Sequence, residues 1–171
     1  MKRIGYGQVE PNHLSAQRTG QIYAQLPAAE AIKVLENGEF VKYDYANGEV
    51  NKTASDGEWM LVFNEVKLYD GNRETYKDFA MKASDAVNGE IVPRVFKTNV
   101  GDIFTTNMLQ KASVGKGAET TGLTDLAVGN KLGINANGYL EKDASGDIQF
   151  QVVKVYTLAD GQEAVKIQRI A

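Results

Sequence analysis

The last part of the chain, residues 147–170, limits the fold most, because apolar and polar residues alternate there on both sides of one turn. The apolar residues at alternate positions of its first half are Ile148, Phe150 and Val152. This period of two is typical of a strand that buries one face. Val153 and Val155 then shift the alternation by one residue, which predicts either a β-bulge near 152–153 or a strand covered on both faces.

A tight reversal follows this strand. Asp160-Gly161 provides a residue that adopts positive φ without strain, and Val165 and Ile167 resume the alternation after it. The two halves therefore predict a terminal β-hairpin. A chain end that forms a regular strand is normally paired within a sheet, since an unpaired terminus would fray, so earlier segments are expected to supply its partners.

Further turn signals divide the middle of the chain into strands. Asn37-Gly38 and Asn47-Gly48 are dipeptides typical of hairpin turns, and Asn137-Gly138 is a third. Residues 34–52 and 126–143 share an order of apolar residue, glycine, apolar residue and Asn-Gly turn. This loose similarity suggests two similar β-hairpin units that share one core, although two weak copies do not establish a repeat.

Two other stretches indicate where strands lie in their sheets. The apolar run 59–63 is long enough for a strand buried on both faces. Pro93 is disfavoured within a central strand, so residues 91–98 predict an edge strand. A turn at Gly101 and a second strand over 103–107 are expected to follow it.

Helical signals are few. Residues 28–35 are compatible with either a short helix or the first strand. Tyr76, Phe79 and Ala80 have helical spacing, which predicts one short helix within 75–83. Residues 109–124 hold three glycines among polar residues, which is typical of a loop that is either mobile or used for binding.

Length and composition agree with a single β-rich domain. The 171 residues suffice for one substantial core, and 17 glycines, 3 prolines, eight tyrosines and six phenylalanines suit strands joined by tight turns. We therefore expect a mainly β fold, a small β-barrel or β-sandwich over residues 28–171. An extended N-terminal arm over residues 1–27 and at most one or two short helices complete the expectation.

The predicted arm is poor in large aliphatic residues. Its spaced apolar residues are Tyr6, Val9, Leu14, Ile22, Tyr23 and Leu26. They are too scattered for an amphipathic stripe, so two alternatives stay open. The segment is either a solvated tail or an arm whose apolar residues become ordered on a neighbouring subunit.

Charge and residue usage argue against several classes of protein. The formal net charge is -3 and the 19 basic residues are dispersed, so nucleic-acid binding is not expected. The absence of cysteine excludes disulfides, thiolate nucleophiles and cysteine-ligated zinc. No apolar run approaches the length of a membrane span, and residues 1–13 lack the apolar segment of a signal peptide. We expect synthesis in the cytoplasm and no membrane partner.

Catalytic and ligand-binding signatures are missing or incomplete. His13, the single histidine, lies in the polar arm without a constellation of carboxylate and hydroxyl groups around it, and Gly115-Lys116-Gly117 lacks the spacing of a phosphate-binding loop. Residues 70–74 resemble part of a calcium loop but lack its later ligands, and the glycosylation sequon at Asn51 has no secretory signal to support it. The carboxylates are dispersed, so no catalytic, cofactor-binding or metal-binding residue is nominated, and we expect a protein that is not an enzyme.

Four stretches resemble capsid decoration (cement) and auxiliary head proteins of tailed bacteriophages. They read VLENGEFVKYDYANGEV, VGDIFTTN, LAVGNKLGINANGYLEKD and FQVVKVYTLADGQEAVKIQRI. The shared features are an apolar-x-x-Gly-x-apolar turn, a Gly-Asp reversal at Gly101-Asp102 and a closing hairpin. The resemblance extends from Val34 to the C-terminus, and the polar segment 75–88 departs from it.

The resemblance implies a virion structural protein on the capsid surface, made in the cytoplasm of the bacterial host. Such a protein binds the outside of an assembled shell and clamps neighbouring major capsid subunits against internal pressure. Its expected partner is the major capsid protein, and a second copy of the chain is a further candidate. The proposed contact residues lie in the arm and the edge strand: Tyr6, Val9, Leu14, Ile22, Tyr23, Leu26, Val95 and Lys97.

Three other functions fit the same sequence. A phage tail or head-fibre subunit would share the β-rich character but assemble by itself. A carbohydrate-binding or adhesin-like module would use exposed aromatic residues, with Tyr43, Tyr45, Trp59 and Tyr69 as the candidates, although the apolar run around Trp59 favours burial of that side chain. A small hydrolase with an unrecognised site is the third, because a missing motif does not exclude an activity.

Overall fold

A computed structural model of the protein describes residues 5–15, 26–55, 57–64, 78–109, 126–158 and 161–171. Within these ranges the fold is mainly β, as predicted, and every pair of neighbouring strands is antiparallel. The strands are β1 (Val9–His13), β2 (Val34–Glu36), β3 (Phe40–Asp44), β4 (Glu49–Asn51), β5 (Met60–Val62), β6 (Ala80–Lys82), β7 (Val95–Phe96), β8 (Ile103–Thr106), β9 (Lys131–Ile134), β10 (Leu140–Lys142), β11 (Gln149–Thr157) and β12 (Glu163–Arg169). Ala83–Asp85 forms a single turn of 3-10 helix.

The largest sheet has six strands in the order β1-β8-β12-β11-β9-β10. The predicted terminal hairpin, β11 and β12, occupies its two central positions, which explains why the chain end is a regular strand. The register of this hairpin shifts between Val152 and Lys154, so the predicted β-bulge is confirmed with Val153 as the extra residue. The bulge lets Val152 point into the core and Val155 also contact it.

A second sheet has four strands in the order β4-β3-β5-β7 and separates two apolar clusters. Phe40 and Leu61 pair across β3 and β5 and belong to the larger cluster, whereas Val41 and Met60 pair beside them and belong to the smaller one. Strand β5 is therefore buried on both faces, as predicted. The edge strand expected near Pro93 is β7, and the strand expected after the turn at Gly101 is β8.

The larger cluster fills the space between the six-stranded and four-stranded sheets. Phe40 of β3 lies 5.7 Å from Phe150 of β11, and Phe104 of β8 lies 5.6 Å from the same ring, measured between ring centroids. The arrangement is that of a sandwich. Strands β1 and β10 lie at the two edges of the large sheet, so the described strands form no closed barrel.

A third, two-stranded sheet pairs β2 with β6 and corrects the helix predicted within 75–83. Of that segment, residues 78–83 are described, and Ala80–Lys82 is a strand. Phe79 donates its N–H to the Gly7 carbonyl, and its own carbonyl accepts from Asn37, so its backbone is paired with distant segments. Tertiary pairing overrides the local helical spacing here. Ala28 forms an isolated β-bridge with Val50, a turn follows at residues 30–31, and β2 begins at Val34.

Two of the three Asn-Gly dipeptides form the predicted hairpins. Asn47-Gly48 joins β3 to β4, and Asn137-Gly138 joins β9 to β10. The prediction of a hairpin at Asn37-Gly38 is wrong, since β2 pairs with β6 whereas β3 pairs with β4 and β5. A turn does form, because Glu39 donates its N–H to the Glu36 carbonyl, but it passes the chain from one sheet to another.

The N-terminal segment corrects the expectation of a separate arm over residues 1–27. Residues 9–13 form β1, which pairs with β8 at the edge of the six-stranded sheet. Val9 and Leu14 are buried in the larger cluster, so this part of the segment is integrated into the domain. These isolated apolar residues are enough to fix the segment to the domain, because the larger cluster supplies the apolar side chains that they pack against.

Candidate functional site

Two glutamates lie buried where the N-terminal segment, β2 and β3 meet. Glu36 is 1% exposed and accepts the Gly7 N–H at 2.7 Å through Oε2. Glu39 is 2% exposed and accepts the Tyr139 hydroxyl at 2.7 Å through Oε1. Buried carboxylates are expensive unless hydrogen-bonded or paired, so these contacts hold separate segments of the fold together.

Glu39 also forms an ion pair. The Lys52 ammonium lies 2.7 Å from its Oε2 and 5.1 Å from the centroid of the Tyr139 ring. Burial raises the pKa of the Glu39 carboxyl above its ordinary value, and the charge of Lys52 opposes that rise. The group therefore links the end of β4, the start of β3 and the β9–β10 loop by one charge pair and one hydrogen bond.

Further side-chain acceptors fix the N-terminal segment. Gln8 donates its N–H to Asn107 Oδ1 at 2.8 Å, and Ser15 donates its N–H to Asp102 Oδ1 at 3.0 Å. The Ser15 hydroxyl also donates to the same Asp102 oxygen. Asp78 Oδ2 accepts the Tyr6 N–H at 3.1 Å. Together with the Glu36 contact, these side-chain acceptors hold residues 5–15 on the body, in addition to the pairing of β1 with β8.

A cleft of about 480 Å³ opens between the four-stranded and six-stranded sheets. Its lining residues are Lys42, Gly57, Glu58, Trp59, Ile134, Gly146, Asp147 and Ile148. The cleft has the size of a small-molecule site and combines an indole, carboxylates and an ammonium group. The described residues would therefore accommodate a small polar ligand there.

Several of these side chains already have partners. The Lys42 ammonium lies 4.9 Å from the centroid of the Trp59 ring and donates to the Ala54 carbonyl at 3.3 Å. Glu58 accepts from Arg169 at 2.8 Å, and the Lys97 ammonium lies 3.8 Å from its other oxygen. Trp59 is half-buried against the larger cluster. A ligand would thus meet a partly covered indole.

The aromatic platform predicted for a carbohydrate-binding module does not form as one surface. The rings of Tyr43 and Tyr45 pack with their centroids 4.3 Å apart, and Tyr45 is exposed. Tyr43, however, packs against the smaller apolar cluster, whereas Trp59 packs against the larger one. The four-stranded sheet lies between the two clusters and separates these side chains. Tyr69 lies outside the described residues.

The predicted shell-contact residues are brought to different places. Val9, Leu14 and Val95 are 4%, 3% and 0% exposed, which corrects their assignment as contact residues, because the domain uses them in its own core. Leu26 is half-buried against the smaller cluster, and Tyr6 is half-buried with the Lys82 ammonium 5.0 Å from its ring centroid.

Of the remaining predicted shell-contact residues, Lys97 is half-exposed and lies beside Glu58. Ile22 and Tyr23 lie outside the described residues, as does the predicted loop at 110–124. His13 is exposed on β1, and no group of three or more potential metal-ligating side chains occurs in the described ranges.

Sequence patterns missed the buried carboxylates. Glu36 and Glu39 flank the Asn37-Gly38 dipeptide, and polar residues beside a turn signal normally predict a solvated turn. The available signal was the strongly apolar sequence on both sides, VLENGEFV. Asp102 was singled out as part of a Gly-Asp reversal, and its carboxylate proves to hold both Ser15 and the Asn99 N–H.

Comparison with protein-family models, with curated protein sequences and with solved structures found no match. In the described part of the chain, no helix has the length and apolar character needed to cross a membrane.

Proposed function

We propose that this chain is a non-enzymatic structural protein of a phage virion, which binds the outside of an assembled capsid shell and stabilises contacts between major capsid subunits. The proposal places the protein on the virion surface with the major capsid protein as its partner. It starts from the sequence resemblance to decoration proteins. The fastening of the N-terminal segment is the structural observation that supports it most.

A clamp must transmit load between its contacts and its body. Residues 5–15 are tied down by the antiparallel pairing of β1 with β8 and by the carboxylates of Glu36 and Asp102. A pull along β1 would have to break these backbone hydrogen bonds together. On the other side of residues 16–25, Ala28 is also held to the body, because its N–H donates to the Ile91 carbonyl at 2.7 Å. The described residues on both sides of this segment, which carries Ile22 and Tyr23, are therefore fixed to the domain.

Co-sedimentation tests the proposal. Expanded heads of the phage that encodes the chain, prepared without this protein, are mixed with increasing amounts of the purified protein and pelleted. We expect saturable binding at a fixed ratio to the major capsid subunit. A failure to bind, together with a free protein that runs as a stable trimer or filament, would reject decoration in favour of a fibre or tail component.

The cleft beside Trp59 favours a second candidate, the binding of a saccharide. The indole offers apolar contact, and the exposed carboxylate of Asp147 offers a hydrogen-bond acceptor, as sugar sites do. Gly146 lines the cleft in open space, because a Cβ added there would meet nothing within 4 Å. Trp59 is the single tryptophan, so its fluorescence reports on this cleft alone. Titration with a panel of oligosaccharides should give a saturable change that Asp147→Ala weakens and Asp143→Ala does not. An unchanged emission spectrum across the panel would reject this candidate.

A further inference from the structure

The bulge in β11 places an unpaired apolar residue on the outer side of the six-stranded sheet. Val152 pairs with Ile167 and Lys154 with Lys166, so Val153 has no partner across the hairpin. Val152 is buried in the core, whereas Val153 is 39% exposed. A β-bulge typically redirects a side chain and increases the local twist of the strand.

A second exposed valine is held beside this bulge. Gly129 donates its N–H to the Val152 carbonyl at 2.8 Å, and Val152 donates its own N–H to the Asn130 carbonyl at 2.9 Å. The turn is also closed by the Ala127 N–H, which donates to Asn130 Oδ1 at 2.9 Å. These bonds fix a turn that displays Val128, which is 68% exposed.

Three lysines lie on β9, β11 and β12 near the bulge. Lys154 and Lys166 are directly opposite each other, and Lys131 is opposite Gln151 on the neighbouring strand. Directly opposed residues of an antiparallel pair point to the same face, and like charges in that position are unfavourable for the isolated sheet. The arrangement contrasts with the chain as a whole, whose formal net charge is -3.

Carboxylates lie at the margins of this surface. Glu10 is opposite Thr105, which is in turn opposite Lys166, so it is two strands away from that lysine. Asp143 follows the edge strand β10, and its N–H donates to the Lys131 carbonyl. The centre is therefore apolar and basic, and it lies on a sheet whose other face is packed in the core.

We propose that this surface, the bulge patch formed by Val128, Lys131, Val153, Lys154 and Lys166, is where the protein docks onto an acidic region of the capsid shell. The inference rests on the function proposed above and names the contact surface for it. An apolar centre provides desolvated contact, and the lysines select a negatively charged partner. A rigid turn and a central hairpin lose little conformational freedom on binding, which favours affinity.

A matched pair of double variants tests the bulge patch in the co-sedimentation assay. Val128→Asp with Lys166→Glu changes the patch. Val87→Asp with Lys33→Glu makes the same substitutions in exposed residues next to the two-stranded sheet, with the same change in net charge. We expect the patch variant to bind shells at least about tenfold more weakly than the wild type. The control variant should bind within about twofold of it.

A measurement without mutations covers the case in which a variant does not fold. Amine-reactive labelling of the wild-type protein, free and shell-bound, is followed by mass spectrometry of Lys154 and Lys166. Protection of both lysines in the bound protein, with Lys33 labelled equally in both states, is the expected result. Binding of wild type and patch variant alike, or equal labelling of the patch lysines, would overturn this inference and leave shell binding intact.

Two other outcomes would each lead to a different conclusion. A wild-type protein that does not bind shells overturns both the inference and the proposed function. Self-association of the free protein that the patch variant abolishes would assign the bulge patch to contacts between copies of this chain, and so overturn docking on the shell.

Discussion

Strands β3 and β4 and strands β9 and β10 form two hairpins with closely similar loops. In the first, Asp44 Oδ1 accepts the N–H groups of Ala46 and Asn47, each at 3.1 Å. In the second, Asn135 Oδ1 accepts the N–H groups of Asn137 and Tyr139, each at 3.0 Å. Both loops contain a glycine with positive φ, +66° in one and +78° in the other.

The two turns differ in what surrounds them. A side chain added at Gly48 would meet nothing within 4 Å, whereas a Cβ at Gly138 would lie 2.1 Å from the Phe40 carbonyl oxygen. Phe40 donates its N–H to the Gly138 carbonyl at 2.8 Å, so the second loop packs directly on the four-stranded sheet. The same local chemistry thus produces a solvated turn in one place and a joint between two sheets in the other.

Replacing each glycine by alanine should show the largest difference between the hairpins. Gly138→Ala forces backbone atoms apart and puts a side chain at positive φ, which should lower the free energy of unfolding by about 4 kcal/mol. Gly48→Ala adds only the strain of positive φ, about 1 kcal/mol. Urea denaturation of both variants measures the difference. Equal losses would show that the second loop does not join the sheets.

The hydroxyl group next to the second glycine should have the next largest effect. Tyr139→Phe removes the hydrogen bond to the buried Glu39 carboxylate, which should cost about 2 kcal/mol. Tyr45→Phe, in the first hairpin, removes a hydroxyl from an exposed ring and should change stability by less than about 0.5 kcal/mol. Denaturation midpoints of the two variants measure the loss of stability in each. Comparable losses would contradict the account that the second loop joins two sheets whereas the first is a solvated turn.

Stability should depend on pH through Glu39. Burial raises the pKa of this carboxyl in the folded state above the ordinary value of 4.5, so the folded protein holds the proton to a higher pH than the unfolded chain. The contribution of the group is then largest at low pH and is lost as pH rises through the folded pKa. The stability of the wild type relative to Glu39→Gln should therefore increase as pH falls from 7 towards 4.5.

Lys52 offers a check on this dependence. Its charge opposes the effect of burial on the Glu39 pKa, so Lys52→Gln should strengthen the same trend with pH. Denaturation at a series of pH values measures both variants against the wild type. A stability difference between wild type and Glu39→Gln that falls on acidification would reverse the predicted sign.

Asp44 should give the smallest effect, with the opposite dependence on pH. Hydrogen bonds from Asn47, together with others from Asn51 and Ala46, lower the pKa of this exposed carboxyl below 3.8. The stability it contributes is present above that value and is lost as pH falls through the folded pKa. Asp44→Asn makes the first loop resemble the second at Asn135, and its small deficit at neutral pH should disappear in acid. A deficit that persists there would assign the effect to altered loop geometry.

Periodicity and turn chemistry predicted the local elements of this fold well. The bulge at Val153 and the doubly buried β5 are decided by which side chains face the core, and that information lies within a few consecutive residues. The strand at Ala80–Lys82 and the pairing partners on either side of Asn37-Gly38 depend on segments far away in the chain. The local spacing of apolar residues does not indicate which distant segment a strand pairs with.

The candidate surfaces were less predictable for the same reason. Val9 stands between polar residues in the sequence, which suggests an exposed side chain. Most of the apolar residues that bury Val9 and Val95 are distant in the chain, so the sequence did not indicate their burial. The bulge patch combines Val128, on a turn before β9, with residues of β11 and β12. The phase shift at Val153 signals the bulge, but the turn beside it is determined by backbone hydrogen bonds across the sheet.

The central claim, binding to the outside of a capsid shell, is tested most directly by electron cryomicroscopy of shells incubated with the protein. The account predicts added density at regular positions on the outer surface, with the six-stranded sheet facing the shell and the Asn47-Gly48 turn facing solvent. Shells that carry no added density at saturating protein concentration would contradict it.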